Sequence, residues 1–133
     1  WQIKETPTRN ILSGVFPKTH GIENALALKV NLKAEFSDFK EFKDIVIARY
    51  EVGDQMKWSQ AHQLLKKEKL NVFEKLGDAY YVELQWNGKI YCCCYILVET
   101  STTFLWIDFT ATTETYDENF IKFKKIMETI VII

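Results

Sequence analysis

Histidine, cysteine and glycine are scarce in this sequence, which holds two, three and five of them in 133 residues. That shortage removes several kinds of chemistry together. Neither His20 nor His62 has a cysteine or carboxylate at a recognised ligand spacing, so no metal site is read. The glycines form no phosphate-cradling loop, no serine sits at the centre of a nucleophile elbow, and no zinc pattern occurs. Cys92, Cys93 and Cys94 are consecutive, an odd number in one segment, and do not make a disulfide framework. Neighbours on a strand point to opposite faces, so Cys92 and Cys94 share one side, a spacing that a soft metal or redox pair can use; flanked by Tyr91, Tyr95 and Ile96 and without a cationic neighbour to lower a thiol pKa, the three read first as small buried apolar groups. No catalytic residue and no cofactor is assigned, and the chain is read as a non-enzyme.

A surplus of charge is missing as well. Seventeen basic residues stand against eighteen acidic ones, which gives no field to draw in nucleic acid or an anionic membrane. The longest basic run, Lys66, Lys67 and Lys69, is broken by Glu68 and reads as a solvated face. No apolar stretch approaches the ~20 residues that span a bilayer, and the strongest, Tyr91 to Val98, has the length of a strand. The expectation is one soluble domain over residues 1–133. The start at Trp1 without an initiator methionine suits a processed chain whose leader has been removed, and hence an exported or periplasmic address. Three cysteines fit a reducing, cytoplasmic one better.

What is present is apolar and aromatic material, 47% and 14% of the chain, enough to build a core without staples. Residues 1–24 hold both prolines and two of the glycines and read as an irregular lead-in, with a short strand around Ile11 to Phe16. Ala25 to Phe36 alternates Leu26, Leu28, Val30, Leu32, Ala34 and Phe36 with polar residues, which predicts a half-buried strand. Ser37 to Lys43 reads as a helical turn capped by Ser37, and Asp44 to Val52 as a second strand. Asp54 would cap an amphipathic helix from about Met56 to Lys69, with Ala61, Leu64 and Leu65 inward and His62 exposed.

The clearest local signal is Asn87-Gly88 between two β-prone runs, Ala79 to Trp86 and Lys89 to Val98. A two-residue loop sets Leu84 opposite Tyr91, Val82 opposite Cys93 and Tyr80 opposite Tyr95. A strand from Phe104 to Ala111 completes a three-stranded meander. A helix follows, with Thr115 and Glu118 as a capping box and Phe120, Phe123, Ile126, Met127 and Ile130 at helical intervals; Ile130 to Ile133 is expected to revert to strand. The predicted fold class is α+β: an α/β/α sandwich with a central twisted antiparallel sheet, ending in that meander and a helix.

Five residues stand out as a ligand or partner surface: Trp58, Tyr81, Glu83, Trp106 and Asp108. Trp58, Tyr81 and Trp106 are expected to wall a pocket between sheet and helix. Glu83 and Asp108 are strand carboxylates that could share one face and do acid-base work, or simply look out to solvent.

The succession of a strand, a helix beginning at Trp58, the hairpin Tyr80 to Gly88, the strand Phe104 to Phe109 and a closing helix Tyr116 to Glu128 resembles the PsbP/Mog1-like superfamily over roughly residues 25–133. The resemblance implies a helix-covered antiparallel sheet, a non-enzymatic binding or assembly role, and often export. Nothing in the chain matches the contacts through which the named members bind their partners. Three functions follow as alternatives: an accessory module acting through its surface on a protein partner, a pocket for a small apolar ligand, and a carboxylate-dependent enzyme.

Overall fold

The computed structural model describes residues 2–6, 11–15, 24–52, 62–86 and 88–131. Seven strands make one antiparallel sheet: β1 (Gln2–Thr6), β2 (Ile11–Val15), β3 (Ala25–Leu32), β4 (Gln63–Leu70), β5 (Asp78–Trp86), β6 (Lys89–Glu99) and β7 (Thr103–Thr112). Helix α1 (Phe39–Val52) separates β3 from β4, and α2 (Tyr116–Glu128) follows β7. Across the sheet the order is β1-β2-β3-β7-β6-β5-β4, a mixed α+β fold whose last strand, β7, closes against β3. Among the described residues no helix is long and apolar enough to cross a membrane.

The hairpin β5–β6 has the register that its two-residue loop dictates, with Leu84, Val82 and Tyr80 paired to Tyr91, Cys93 and Tyr95. Gly88 takes φ +79°, the left-handed conformation that such a turn requires. Strand alternation then divides the core in two. Cys94, Ile96 and Val98 join Ile107 and Phe109 under Phe123 and Met127 of α2. Cys93, Tyr95 and Leu97 join Phe104 and Trp106 under Phe42, Val46 and Tyr50 of α1. One helix therefore packs on each face.

Several expectations are corrected. Asp44 to Val52 is not a strand but the second half of α1. Its β-branched run Ile45-Val46-Ile47 imitates a strand, yet the residues that go inside are Phe39, Phe42, Val46 and Tyr50, spaced three and four apart. The cap is Asp38 rather than Ser37: the Asp38 carboxylate accepts the Glu41 N–H at 2.8 Å, while the Glu41 carboxylate accepts the Ser37 N–H at 3.0 Å.

Second, residues 63–70 are an edge strand rather than a helix, and Asp54 and residues 56–61 lie outside the described residues. The helix-favouring Leu, Lys and Glu of β4 are overruled by nine-residue β5, which supplies a ladder for them. A bulge between Leu64 and Lys66 sends Leu64 to the α1 core and Leu70 to the α2 core, leaving Leu65 exposed. Three lysines along this strand discourage a further strand from pairing there.

Third, the lead-in is not irregular throughout: the strand expected around Ile11 to Phe16 is present as β2, and β1, which was not expected, pairs with it, so that both extend the sheet beyond β3. Fourth, β3 stops at Leu32, where its partner β7 begins; a 3-10 turn follows, and Phe36 turns into the aromatic group of Phe42 and Phe104. Ile130 and Val131 are not strand, and residues 132–133 lie outside the described residues.

Thr115 occupies the cap position of α2, but its hydroxyl does not cap. It donates to Asn24 Oδ1 at 2.8 Å, and Asn119 Nδ2 donates to the Thr115 carbonyl at 3.1 Å. All three residues are buried, so this small polar group ties the start of β3 to α2. Thr115→Val should lower stability by about 2 kcal/mol, read as a denaturant midpoint with unchanged slope. A loss below about 0.5 kcal/mol would mean that the bond does not hold the two elements together.

Candidate functional site

The five sequence-predicted residues do not converge. Trp58 lies outside the described residues. Tyr81 and Glu83 stand opposite Cys94 and Cys92 on the α2 face, where the Tyr81 ring lies 5.2 Å from Tyr116. Burial and the neighbouring Cys92 hold the Tyr81 phenol above its ordinary range. Trp106 and Asp108 stand opposite Leu97 and Tyr95, on the α1 face. The Glu83–Asp108 pair is thereby excluded: the two carboxylates lie on opposite sides of the sheet, and no acid-base couple can form. Tyr81 cannot wall a pocket with Trp106 for the same reason.

The α1 face carries a cavity of about 360 Å³. Its floor is the sheet, with Ala27 and Lys29 from β3, Trp106, Asp108 and Thr110 from β7, Tyr91 and Cys93 from β6, and Leu84 and Trp86 from β5. Arg49 and Tyr50 at the end of α1, together with His62, complete the wall. Alternation along four strands and one helical turn brings these groups together from positions far apart in sequence.

Two hydrogen-bond chains end on Asp108. Trp106 Nε1 donates to the Tyr50 hydroxyl at 2.7 Å, and that hydroxyl donates to Asp108 Oδ2. Thr110 Oγ1 donates to Asp108 Oδ1 at 2.6 Å. The Thr110 proton being so used, the Cys93 thiol 3.5 Å away is the donor in that contact. Burial, then the Asp108 charge, push both the Tyr50 phenol and the Cys93 thiol well above their ordinary ranges. Both remain protonated donors, and the carboxylate is met from two sides by the fold itself.

Further contacts fix the wall. The Tyr50 ring stacks on Tyr95 at 3.9 Å, with the two planes within 4° of parallel. His62 Nε2–H donates to the Tyr50 carbonyl, which lies in the last turn of α1 and needs a partner. Expected to be exposed, His62 is 8% accessible, because it belongs to a strand entrance rather than to the polar side of a helix. The Lys29 ammonium stands 3.6 Å over the Trp106 ring and the Arg49 guanidinium carbon 5.7 Å over it.

Tyr50 and Arg49 were not singled out by their sequence positions. The readable signal was the three-and-four spacing that runs from Phe39 to Tyr50, which marks Tyr50 as inward and Arg49 as its neighbour on the rim. Among the described residues no three histidine, cysteine or acidic side chains converge as a metal site would need.

No family model matches this chain, and no curated protein matches it. A solved structure that it resembles is the crystal structure of a Pseudomonas aeruginosa protein of unknown function that carries the label of a regulator. The two superpose with a TM-score of 0.64 at 13% identity, over 98% of this chain and 95% of that one. At that identity the likeness speaks for the fold alone.

Proposed function

We propose that this chain is a non-enzymatic binding module, a three-layer sandwich that takes a small ligand with an apolar body into the α1-face cavity. The observation that carries the reading is the composition of that cavity. Leu84, Trp86, Tyr91 and Trp106 offer apolar and aromatic wall, and the one carboxylate, Asp108, is held in place by Tyr50 and Thr110. A volume of about 360 Å³ falls within the range of small-molecule sites. The state of Asp108 and Cys93 supports the non-enzymatic half. Asp108 is occupied by two hydroxyl donors, and the Cys93 thiol beside it is kept from ionising, so neither is poised as a base or nucleophile.

The test uses N-phenyl-1-naphthylamine, a neutral aromatic probe whose emission rises out of water. Saturable one-to-one binding, with quenching of tryptophan emission, is expected. Ala27 faces the cavity directly beside Asp108 in the register. Ala27→Phe should fill the space and weaken the probe at least about tenfold, with the circular dichroism unchanged. Unaltered probe affinity in a folded Ala27→Phe variant would remove the cavity as the binding site.

A further inference from the structure

We infer that the ligand of the α1-face cavity is an anion: a flat apolar body bearing a carboxylate, sulfonate or comparable group that the Arg49 guanidinium holds at the rim. This rests on the small-ligand reading and names the class of ligand.

Most cations around α1 are already paired. Around α1 and the neighbouring strands, Lys67 is paired with Glu51 at 2.8 Å, Lys43 with Asp78 at 2.9 Å and Lys33 with Glu99 at 3.0 Å. Arg49 has no carboxylate partner among the described residues, although it is exposed and lies on the cavity wall. Its one described contact is with the Trp106 ring, which orients a planar fork of donors at the mouth of an aromatic cavity. A guanidinium so placed can meet a planar anionic group through two hydrogen bonds.

Asp108 is not the partner of that charge. It makes no ion pair among the described residues, and its oxygens take the Tyr50 and Thr110 hydroxyls. Each oxygen of this carboxylate already accepts one hydroxyl, and a cationic ligand would have to pass the Arg49 guanidinium to reach it. A ligand that keeps its anionic group at the rim meets Arg49 there and the aromatic wall inside, with its charge held away from Asp108. The geometry thus orients it, with the anionic group outward at Arg49 and the ring between Trp86, Tyr91 and Trp106.

A matched pair of probes tests this: 1-anilinonaphthalene-8-sulfonate and N-phenyl-1-naphthylamine share a ring system and differ by the sulfonate. Wild type should bind the sulfonate about tenfold more tightly at low salt, as one charge-assisted contact requires. The ratio should fall towards one in Arg49→Gln, persist in part in Arg49→Lys, and shrink between about 0.05 and about 0.5 M salt. Ala27→Phe should weaken both probes. Equal affinities that Ala27→Phe abolishes would keep the cavity and overturn its choice of anions. A sulfonate preference that survives Arg49→Gln would overturn the role of Arg49. Probe binding indifferent to Ala27→Phe would overturn the small-ligand reading together with this one.

Discussion

Phe123→Ala is expected to cost about 4 kcal/mol, the largest loss from any single truncation on the α2 face. The side chain is fully buried. It stacks on Phe109 with ring centres 5.0 Å apart and planes within 12°, and meets Phe73 edge-on at 5.7 Å. Alanine would forfeit the transfer energy of the ring and leave a hole bounded by strands β6 and β7, whose backbones are held by pairing on both sides and cannot close in. At this chain length a kcal/mol corresponds to roughly 4 °C, so the melting temperature should fall by about 15 °C. Ile121, two residues earlier on the helix, is 59% exposed, and Ile121→Ala should change stability by less than about 0.5 kcal/mol. If Phe123→Ala cost no more than Ile121→Ala, α2 would not be docked on the sheet as described.

The contrast between those two residues is legible in the sequence, because the spacing of Phe120, Phe123 and Met127 marks one stripe and Ile121 falls outside it. The hairpin was legible for an equally local reason: a two-residue loop leaves only one register. Where elements depend on distant partners, the reading fails. Residues 63–70 have helix-forming composition, and only the ladder offered by β5 makes them a strand. The α1 helix was cut in two because Ile45-Val46-Ile47 obeys strand propensity, while the burial of Phe42, Val46 and Tyr50 is decided by the sheet beneath.

The site shows the same limit. Trp106 and Asp108 were recognisable as unusual residues in an apolar strand, and they do line the cavity. Sequence places Glu83 and Asp108 on strands that flank β6 but does not set the register of β7, because the β6–β7 connection is longer than two residues. The observed pairing sets Asp108 opposite Tyr95 and Glu83 opposite Cys92, one residue out of phase, and a one-residue phase change moves a side chain to the other face. Tyr50, which bonds to Asp108 across 58 positions, has no local signature for that role.

Alkaline pH should destabilise the fold steeply. Burial is the leading cause that raises the Cys93 thiol well above its ordinary range, the Cys94 thiol to about 12 and the Tyr50 phenol well above 10, and the Asp108 charge adds to each. A group whose pKa is raised in the folded chain binds its proton more tightly there than in the unfolded chain. Its contribution is fully present below the unfolded pKa and is lost as pH rises towards the folded one. The loss should therefore begin near pH 8.5, where unfolded thiols ionise, and proceed at about 1.4 kcal/mol per pH unit for each group so held. Between about pH 8 and about pH 10.5 the unfolding free energy, read from the denaturant midpoint and slope with reductant present, should fall by an amount on the order of 5 kcal/mol. Cys93→Ala should reduce the slope by about one proton, since the thiol then titrates in neither state. Asp108→Asn should reduce it less, because burial outweighs the carboxylate charge for all three groups. A midpoint that stays constant across this range would mean that the thiols ionise as readily in the folded chain as in the unfolded one, and strand β6 would then have to be open to water.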